Sequence, residues 1–255
     1  MTDRWAGLAD QYLAAVDTSV KGRVRVHVVH QQLLDHLAPP PGAIVVVGGG
    51  AGSQSIPLAR LGYDVTIVDP SAEMLARAHG YLEREDAAVR ARVRLVGATG
   101  QQAPEVLAGQ RFAGVLCLGV LMYVDEPEPF VGNLCALAES GGVVSIVAQN
   151  AHTMAVRPAL EGRWADALVA FDAQGEESSV LGLRTRADRR EDVAGYLAAH
   201  GVHPEAWYGV WLFTDGWTKN LPADLDDVLA VELAASRRDP YRQLSRLFHL
   251  IGRKA

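Results

Sequence analysis

The residues best suited to chemistry lie in one short run, Gly48-Gly49-Gly50-Ala51-Gly52-Ser53, directly after the β-branched stretch Ile44–Val47. Glycines at such a place permit positive φ and let a ligand approach the backbone closely. The helix expected next offers free N–H groups at its start. A dinucleotide loop has the spacing G-x-G-x-x-G. Counted from Gly48 its last position is Ser53, and counted from Gly50 it is Ser55, so neither register fits. The spacing present is G-x-G-x-G, at Gly48, Gly50 and Gly52; an ordinary glycine-rich turn is the plain alternative to a binding loop. Asp69 ends Ile67-Val68-Asp69 one strand–helix unit later. A carboxylate there can accept from both hydroxyls of a ribose, or simply open the next helix. Met74, in the turn that follows, is a core residue or a contact to whatever the loop binds. His152 is the candidate general base, able to activate a phenol, hydroxyl or amine, or else it packs against the next helix. Tyr123 is a candidate wall of a substrate pocket, or a core residue.

These residues need strands and helices to bring them together. Arg23 to Leu37 has apolar residues at helical spacing, and Pro39-Pro40-Pro41-Gly42 stops it. Short β-branched runs at 44–47, 65–68, 93–96, 114–118 and 143–148 read as buried parallel strands. Helices are expected over 53–61, 71–84 and 127–137, with Gly141-Gly142 turning the chain into the fifth strand. Strands alternating with helices of this length predict a mostly parallel sheet with helices on both faces. Beyond residue 150 the pattern predicts helices over 152–171, 188–200 and 225–235, a polar loop at 172–187, and strands at 210–213 and 246–251. The expectation is a single domain: N-terminal helices over 1–40, a binding core over 41–150, and over 151–255 a cap that also completes the sheet.

The glycine spacing resembles the first motif of the class I S-adenosylmethionine (SAM) methyltransferases, whose ligand has no pyrophosphate. Over roughly residues 3–254 the chain is similar to the bacterial tRNA 5-carboxymethoxyuridine methyltransferases. The matching stretches are Lys21-Gly22-Arg23-Val24-Arg25, the Gly48–Gly52 loop, Asp69-Pro70-Ser71-Ala72-Glu73-Met74, Asn150-Ala151-His152, Gly209-Val210-Trp211-Leu212-Phe213, and Asp239-Pro240-Tyr241 with Arg246 and His249. The resemblance implies a Rossmann-like fold with a mostly parallel seven-stranded sheet and a helical cap. It implies SAM as cofactor and S-adenosylhomocysteine as product. It assigns Arg25 to the methionyl carboxylate, and Gly48 and Gly49 to the methionyl part of SAM. Gly50 and Gly52 complete the loop. Asp69 takes the ribose, with Pro70 beside it and Met74 on the adenine. Gln101 and Gln102 follow the third strand, where the family contacts adenine, and Leu118 ends the fourth strand near the cofactor. The sequence departs from the family at Val46, Gln102 and Ala113, where acids are usual, at Leu118, where a histidine is usual, and at Asp17, where a tyrosine is usual.

The expected acceptor is therefore a carboxylate or hydroxyl, of a small molecule or of a modified tRNA wobble uridine, and the departures tilt the choice toward the small molecule. A carboxylate acceptor needs no base, being ionised near neutral pH. Two alternatives stay open: a protein of this fold with lost or repurposed catalysis, favoured by Val46 and Leu118, and a nicotinamide-dependent oxidoreductase, disfavoured by Ser53 and Ser55. The chain of 255 residues is 49% apolar and 21% charged, which excludes a wholly disordered chain. A net charge of −6 and a pI near 5.7 argue against a general nucleic-acid coat. Local basic clusters do occur, at Arg184, Arg186, Arg189 and Arg190 and again near the C-terminus, and Trp207, Trp211 and Trp217 are available for stacking. No apolar run reaches the length of a membrane span. Cys117 and Cys135 lack metal-ligand spacing and read as reduced core thiols, so a cytoplasmic protein without metal is expected.

Overall fold

The computed structural model describes residues 7, 9–14, 19–177, 182–217 and 224–255; Asp17 and the tip of the 172–187 segment fall outside these. Strands β1 (Ala43–Val47), β2 (Asp64–Asp69), β3 (Val93–Gly97), β4 (Phe112–Leu118) and β5 (Ala138–Gln149) pair in parallel. Both faces of this sheet are covered, so its alternate residues feed two cores. Val45, Val47, Val115, Cys117, Val144 and Ile146 belong to one apolar cluster; Ile44, Val46, Leu116, Val143 and Val147 belong to the other.

The helices are α1 (Ala9–Leu13), α2 (Val20–Leu34), α3 (Ser55–Leu61), α4 (Ala72–Leu82), α5 (Ala87–Arg90), α6 (Ala103–Val106), α7 (Pro127–Leu137), α8 (Val156–Leu160), α9 (Trp164–Ala170), α10 (Arg190–Ala199) and α11 (Leu225–Ser236). Val24, Val28 and Leu33 of α2 cover one face with α3 and α11; Phe130 and Leu134 of α7 cover the other with α6 and α10. Local chemistry sets the ends. The Ser19 hydroxyl caps α2 by accepting from Gly22 N at 2.9 Å, and the Ser71 hydroxyl caps α4 by accepting from Met74 N at 3.3 Å.

The second half holds a small hairpin, β6 (Gly175–Glu177) with β7 (Arg184–Arg186), and two further strands of the main sheet, β8 (Val202–Val210) and β9 (Leu247–Lys254). The sheet order is β3-β2-β1-β4-β5-β9-β8, with β9 antiparallel to both neighbours. Seven strands, mostly parallel, with helices on both faces agree with the sequence pattern.

Four local expectations change. The segment 172–187 is not all loop, since it carries the hairpin. Gly141-Gly142 lies inside β5 rather than before it, with Gly141 at φ 77° and the register against β4 shifting between Phe112 and Gly114. The helix expected over 152–171 is broken into a short turn at Ala151–Thr153, α8 and α9, with Gly162 at φ 74° before α9. The strand expected at 210–213 lies earlier, as β8, because the Glu232 carboxylate accepts from the N–H groups of Leu212, Phe213 and Thr214 at 3.1, 2.9 and 2.8 Å. Those amides are satisfied by a side chain and leave the ladder.

Beneath α2, β9 carries a fully buried histidine. His249 Nδ1 lies 2.7 Å from Gln32 Oε1, and Nε2 lies 2.7 Å from Ser145 Oγ. Burial lowers its pKa to about 3, so the ring is neutral. The Gln32 amide nitrogen donates to Gly209 O and to Ser236 Oγ, which leaves Oε1 to accept. Nδ1 therefore donates and Nε2 accepts from Ser145. Cys117 and Cys135 are buried and unpaired, and burial pushes their thiols up to about 12 and about 11, as unreactive core groups.

Candidate active site

β1 and β4 are neighbours, although β2 and β3 separate them in sequence. The winding of the sheet reverses there, and a crevice opens beyond the carboxyl ends of the strands. A cavity of about 790 Å³, its open mouth included, occupies this place. That is the size of small-molecule sites. Its floor is the glycine loop after β1, and its far wall is Leu118, Gly119 and Val120 after β4.

Glycine is required in the floor. Gly48 has φ 67°, and a Cβ there would lie 2.3 Å from Val120 Cγ2. Gly50 has φ 54°, and a Cβ there would meet the Met74 methyl at 2.9 Å. Backbone donors hold the loop: Gly48 N donates to Val68 O at 2.7 Å, and Gly50 N donates to Asp69 Oδ2 at 2.8 Å. Asp69 Oδ1 accepts from Ser71 N at 2.9 Å. The buried carboxylate thus ties the glycine loop to the start of α4 while facing the cavity.

Arg25 enters from α2 on the opposite side and lines the same cavity. Its Nη1 rests over Gly119, 3.1 Å from where a Cβ would stand. The Trp211 indole braces it, with Arg25 Cζ 5.9 Å and Lys21 Nζ 4.2 Å from the ring centre. Trp211 holds φ 62° and donates through Nε1 to Lys21 O at 2.6 Å. Lys21 Nζ pairs with Asp215 Oδ1 at 2.6 Å, and burial lowers its pKa even against that carboxylate. The chain from 211 to 215 thereby fixes the first turns of α2. Sequence spacing gives no hint of this brace, although both segments are among the stretches carrying the family resemblance.

The cavity brings together Arg25, Gly48, Gly49, Gly50, Asp69, Met74 and Leu118. Val46, which replaces the usual acid, is buried and forms part of the apolar wall. Ser53, Gln54, Val26 and Val29 also line it and were not expected from the sequence. Gln54 Nε2 lies 3.2 Å from His30 Nδ1, and burial lowers the His30 pKa. Gly52 shapes the loop at φ 86° from outside the cavity wall. Pro70, Gln101 and Gln102 are exposed and are not among the residues lining the cavity. Gln102 Oε1 accepts from Thr99 N at 3.0 Å and Thr99 Oγ1 at 3.1 Å, so its amide oxygen is engaged locally. His152 is exposed, its Nε2 3.1 Å from Glu191 Oε2. Tyr123 lines a separate depression with Met122, Asp125, Arg184 and Thr185.

The arginine clusters are largely tied down. Arg186 pairs with Asp188 at 2.9 Å and donates to Val124 O and Leu121 O. Arg190 and Arg242 both lie against the Trp207 ring, at 4.5 and 4.3 Å from its centre, and pair with Glu191 and Asp239. Among the described residues no group of acids, histidines or cysteines could hold a metal ion, and no helix is long and apolar enough to cross a membrane.

Residues 45–146 match the model of a methyltransferase domain. The whole chain is 26% identical over 264 residues to the tRNA 5-carboxymethoxyuridine methyltransferase of Escherichia coli K12, covering 97% of that protein. A ubiquinone biosynthesis O-methyltransferase of Methylobacterium sp. 4-46 is 34% identical over 112 residues, 43% of each chain. The crystal structure of a magnesium protoporphyrin IX methyltransferase from Synechocystis PCC 6803 with bound S-adenosylhomocysteine superposes with a TM-score of 0.59. It covers 90% of this chain and 82% of that one at 18% identity, a likeness of fold.

Proposed function

We propose that this chain, a SAM-dependent methyltransferase, transfers the methyl group to a carboxylate or hydroxyl of a small molecule. The carrying observation is the cavity at the switch point, where a buried carboxylate, a guanidinium and a glycine floor face one another. These residues fit SAM. Asp69 already accepts from two backbone N–H groups, yet a carboxylate has about four acceptor sites and can hold a ribose diol as well. Arg25 suits the methionyl carboxylate, and a guanidinium fork takes such a group bidentately. Met74 and the apolar wall suit the adenine face.

SAM supplies an already activated methyl group when bound. The protein's part is to bind, orient and exclude water. Arg25, braced by Trp211, sets the methionyl end, and Asp69 sets the ribose. A carboxylate acceptor arrives ionised and needs no base. His152, paired with Glu191 at the surface, is positioned to serve only an acceptor brought to it there. A second reading, a modified tRNA wobble uridine as acceptor, is supported by the full-length likeness to the Escherichia coli protein.

Calorimetric titration with SAM, S-adenosylhomocysteine and NAD(P)H tests the cofactor. SAM and its product should bind and NAD(P)H should not; binding of NAD(P)H alone overturns the reading, and binding of none favours a fold that has lost catalysis. A labelled-methyl assay on bulk tRNA against small acids and alcohols then decides the acceptor, with label expected on the small acids.

A further inference from the structure

A second cavity, of about 720 Å³ with its open mouth, lies between α8 and residues 211–217. Trp211, Phe213 and Trp217 give it aromatic walls, and its charged lining is two arginines, Arg157 and Arg246, with two carboxylates, Glu161 and Asp215. It adjoins the first cavity through one side chain: Trp211 lines the second and stacks beside Arg25, which lines the first.

Arg246 is the unusual member. Only 5% of its side chain is exposed. A buried guanidinium demands full pairing, since leaving it short of acceptors is costly. Its partners are poor. Nη1 faces the Met154 thioether at 3.5 Å, a weak acceptor. Nη2 touches Glu176 Oε1 of the β6 strand but makes no hydrogen bond of ordinary geometry. The cavity's two carboxylates are already matched: Lys21 holds the part-buried Asp215, and Arg157 and Arg163 hold Glu161 at 3.0 and 2.7 Å. Glu176 is 41% exposed, so it returns to water at small cost when it leaves Arg246. The cluster therefore contains one buried fork with acceptors still to gain, and one carboxylate poised to be replaced.

We propose that this cavity is a binding site for a planar organic anion, with Arg246 as its anchor and Glu176 as an internal competitor that the ligand's carboxylate displaces. The carboxylate takes Nη1 and Nη2 together, as a bidentate pair, and the ring lies between the aromatic walls. The assignment of that anion as the methyl acceptor rests on the methyltransferase reading; the site itself does not.

Benzoate is the probe and benzamide the control, titrated into the full chain by calorimetry and followed by tryptophan fluorescence, since Trp211 and Trp217 line the cavity. Benzoate should bind and benzamide should not. Glu176→Gln should tighten benzoate about fivefold or more, because a competitor lowers affinity by the fraction of sites it occupies. Arg246→Gln should abolish benzoate binding. Glu176 is exposed enough that its variant keeps the test valid if Arg246→Gln fails to fold. Equal binding of benzamide and benzoate, or unchanged benzoate affinity in Glu176→Gln, overturns the proposal. SAM binding measured on the same samples separates the two ideas: loss of SAM binding with these benzoate results intact would sink only the methyltransferase reading.

Discussion

Asp69 serves the fold with both oxygens, and the proposed ribose contact falls on the same two atoms. It fastens Gly50 and Ser71 while facing the cavity. Asp69→Ala should weaken SAM binding roughly tenfold or more, about 1.4 kcal/mol, and calorimetry on samples matched for circular dichroism would separate this from unfolding. Unchanged affinity would show that the ribose lies elsewhere. His249 supplies a different test. Its folded pKa of about 3 lies far below its ordinary 6.5 because burial disfavours the charged ring. The unfolded chain takes up a proton below pH 6.5 while the folded chain does not. The contribution of His249 is therefore intact above pH 6.5 and is lost progressively as pH falls toward 3, by at most about 1.4 kcal/mol per pH unit. His27, His30 and His36 are lowered by burial too and push the same way. Urea unfolding between pH 7.5 and 5 should show stability falling with acid, with a shallower slope in His249→Gln. An equal slope in both would count against the buried neutral ring.

The glycine loop, β1 and β2 form the element on which the proposed cofactor geometry turns. Gly48→Ala should cut SAM affinity about tenfold and lower stability by about 1–2 kcal/mol, since the new methyl meets Val120 in a left-handed backbone. Affinity equal to wild type would show that Val120 gives way freely. This loop was legible in the sequence because its requirements are local: a β-branched run, glycines where φ must be positive, then a helix. Asp69 was legible for the same reason. The brace through Trp211, Lys21 and Asp215 was not, because it joins residues about 190 apart, and no periodicity encodes such a contact. The strand misplaced at 210–213 has a related cause. Its apolar pattern is real, but a single carboxylate, Glu232, captures the amides that a ladder needed. Gln102 and His152 show the limit for polar residues, whose type suggests a role while their neighbours, Thr99 and Glu191, settle what they touch.

At the scale of the molecule, the site is assembled from both ends of the chain: the N-terminal helix α2 carries Arg25, and the segment from 211 to 215 holds that helix in place. Even more of the architecture waits on the last strand. β9 lies between β5 and β8, so eight residues near the C-terminus fill an interior place in the sheet. Ending the chain before Leu247 should leave β8 without a partner and bare the edge of β5, giving an aggregating product with little SAM binding; a soluble, monomeric product by size-exclusion chromatography would refute this. During synthesis the same order imposes a timetable. The glycine loop and the first five strands leave the ribosome well before the strand that closes them in, and at about 5–20 residues per second the β5 edge stays open for several seconds. A nascent chain of this protein is thus a client for whatever shields unpaired strands, and a late frameshift would be as damaging as an early one.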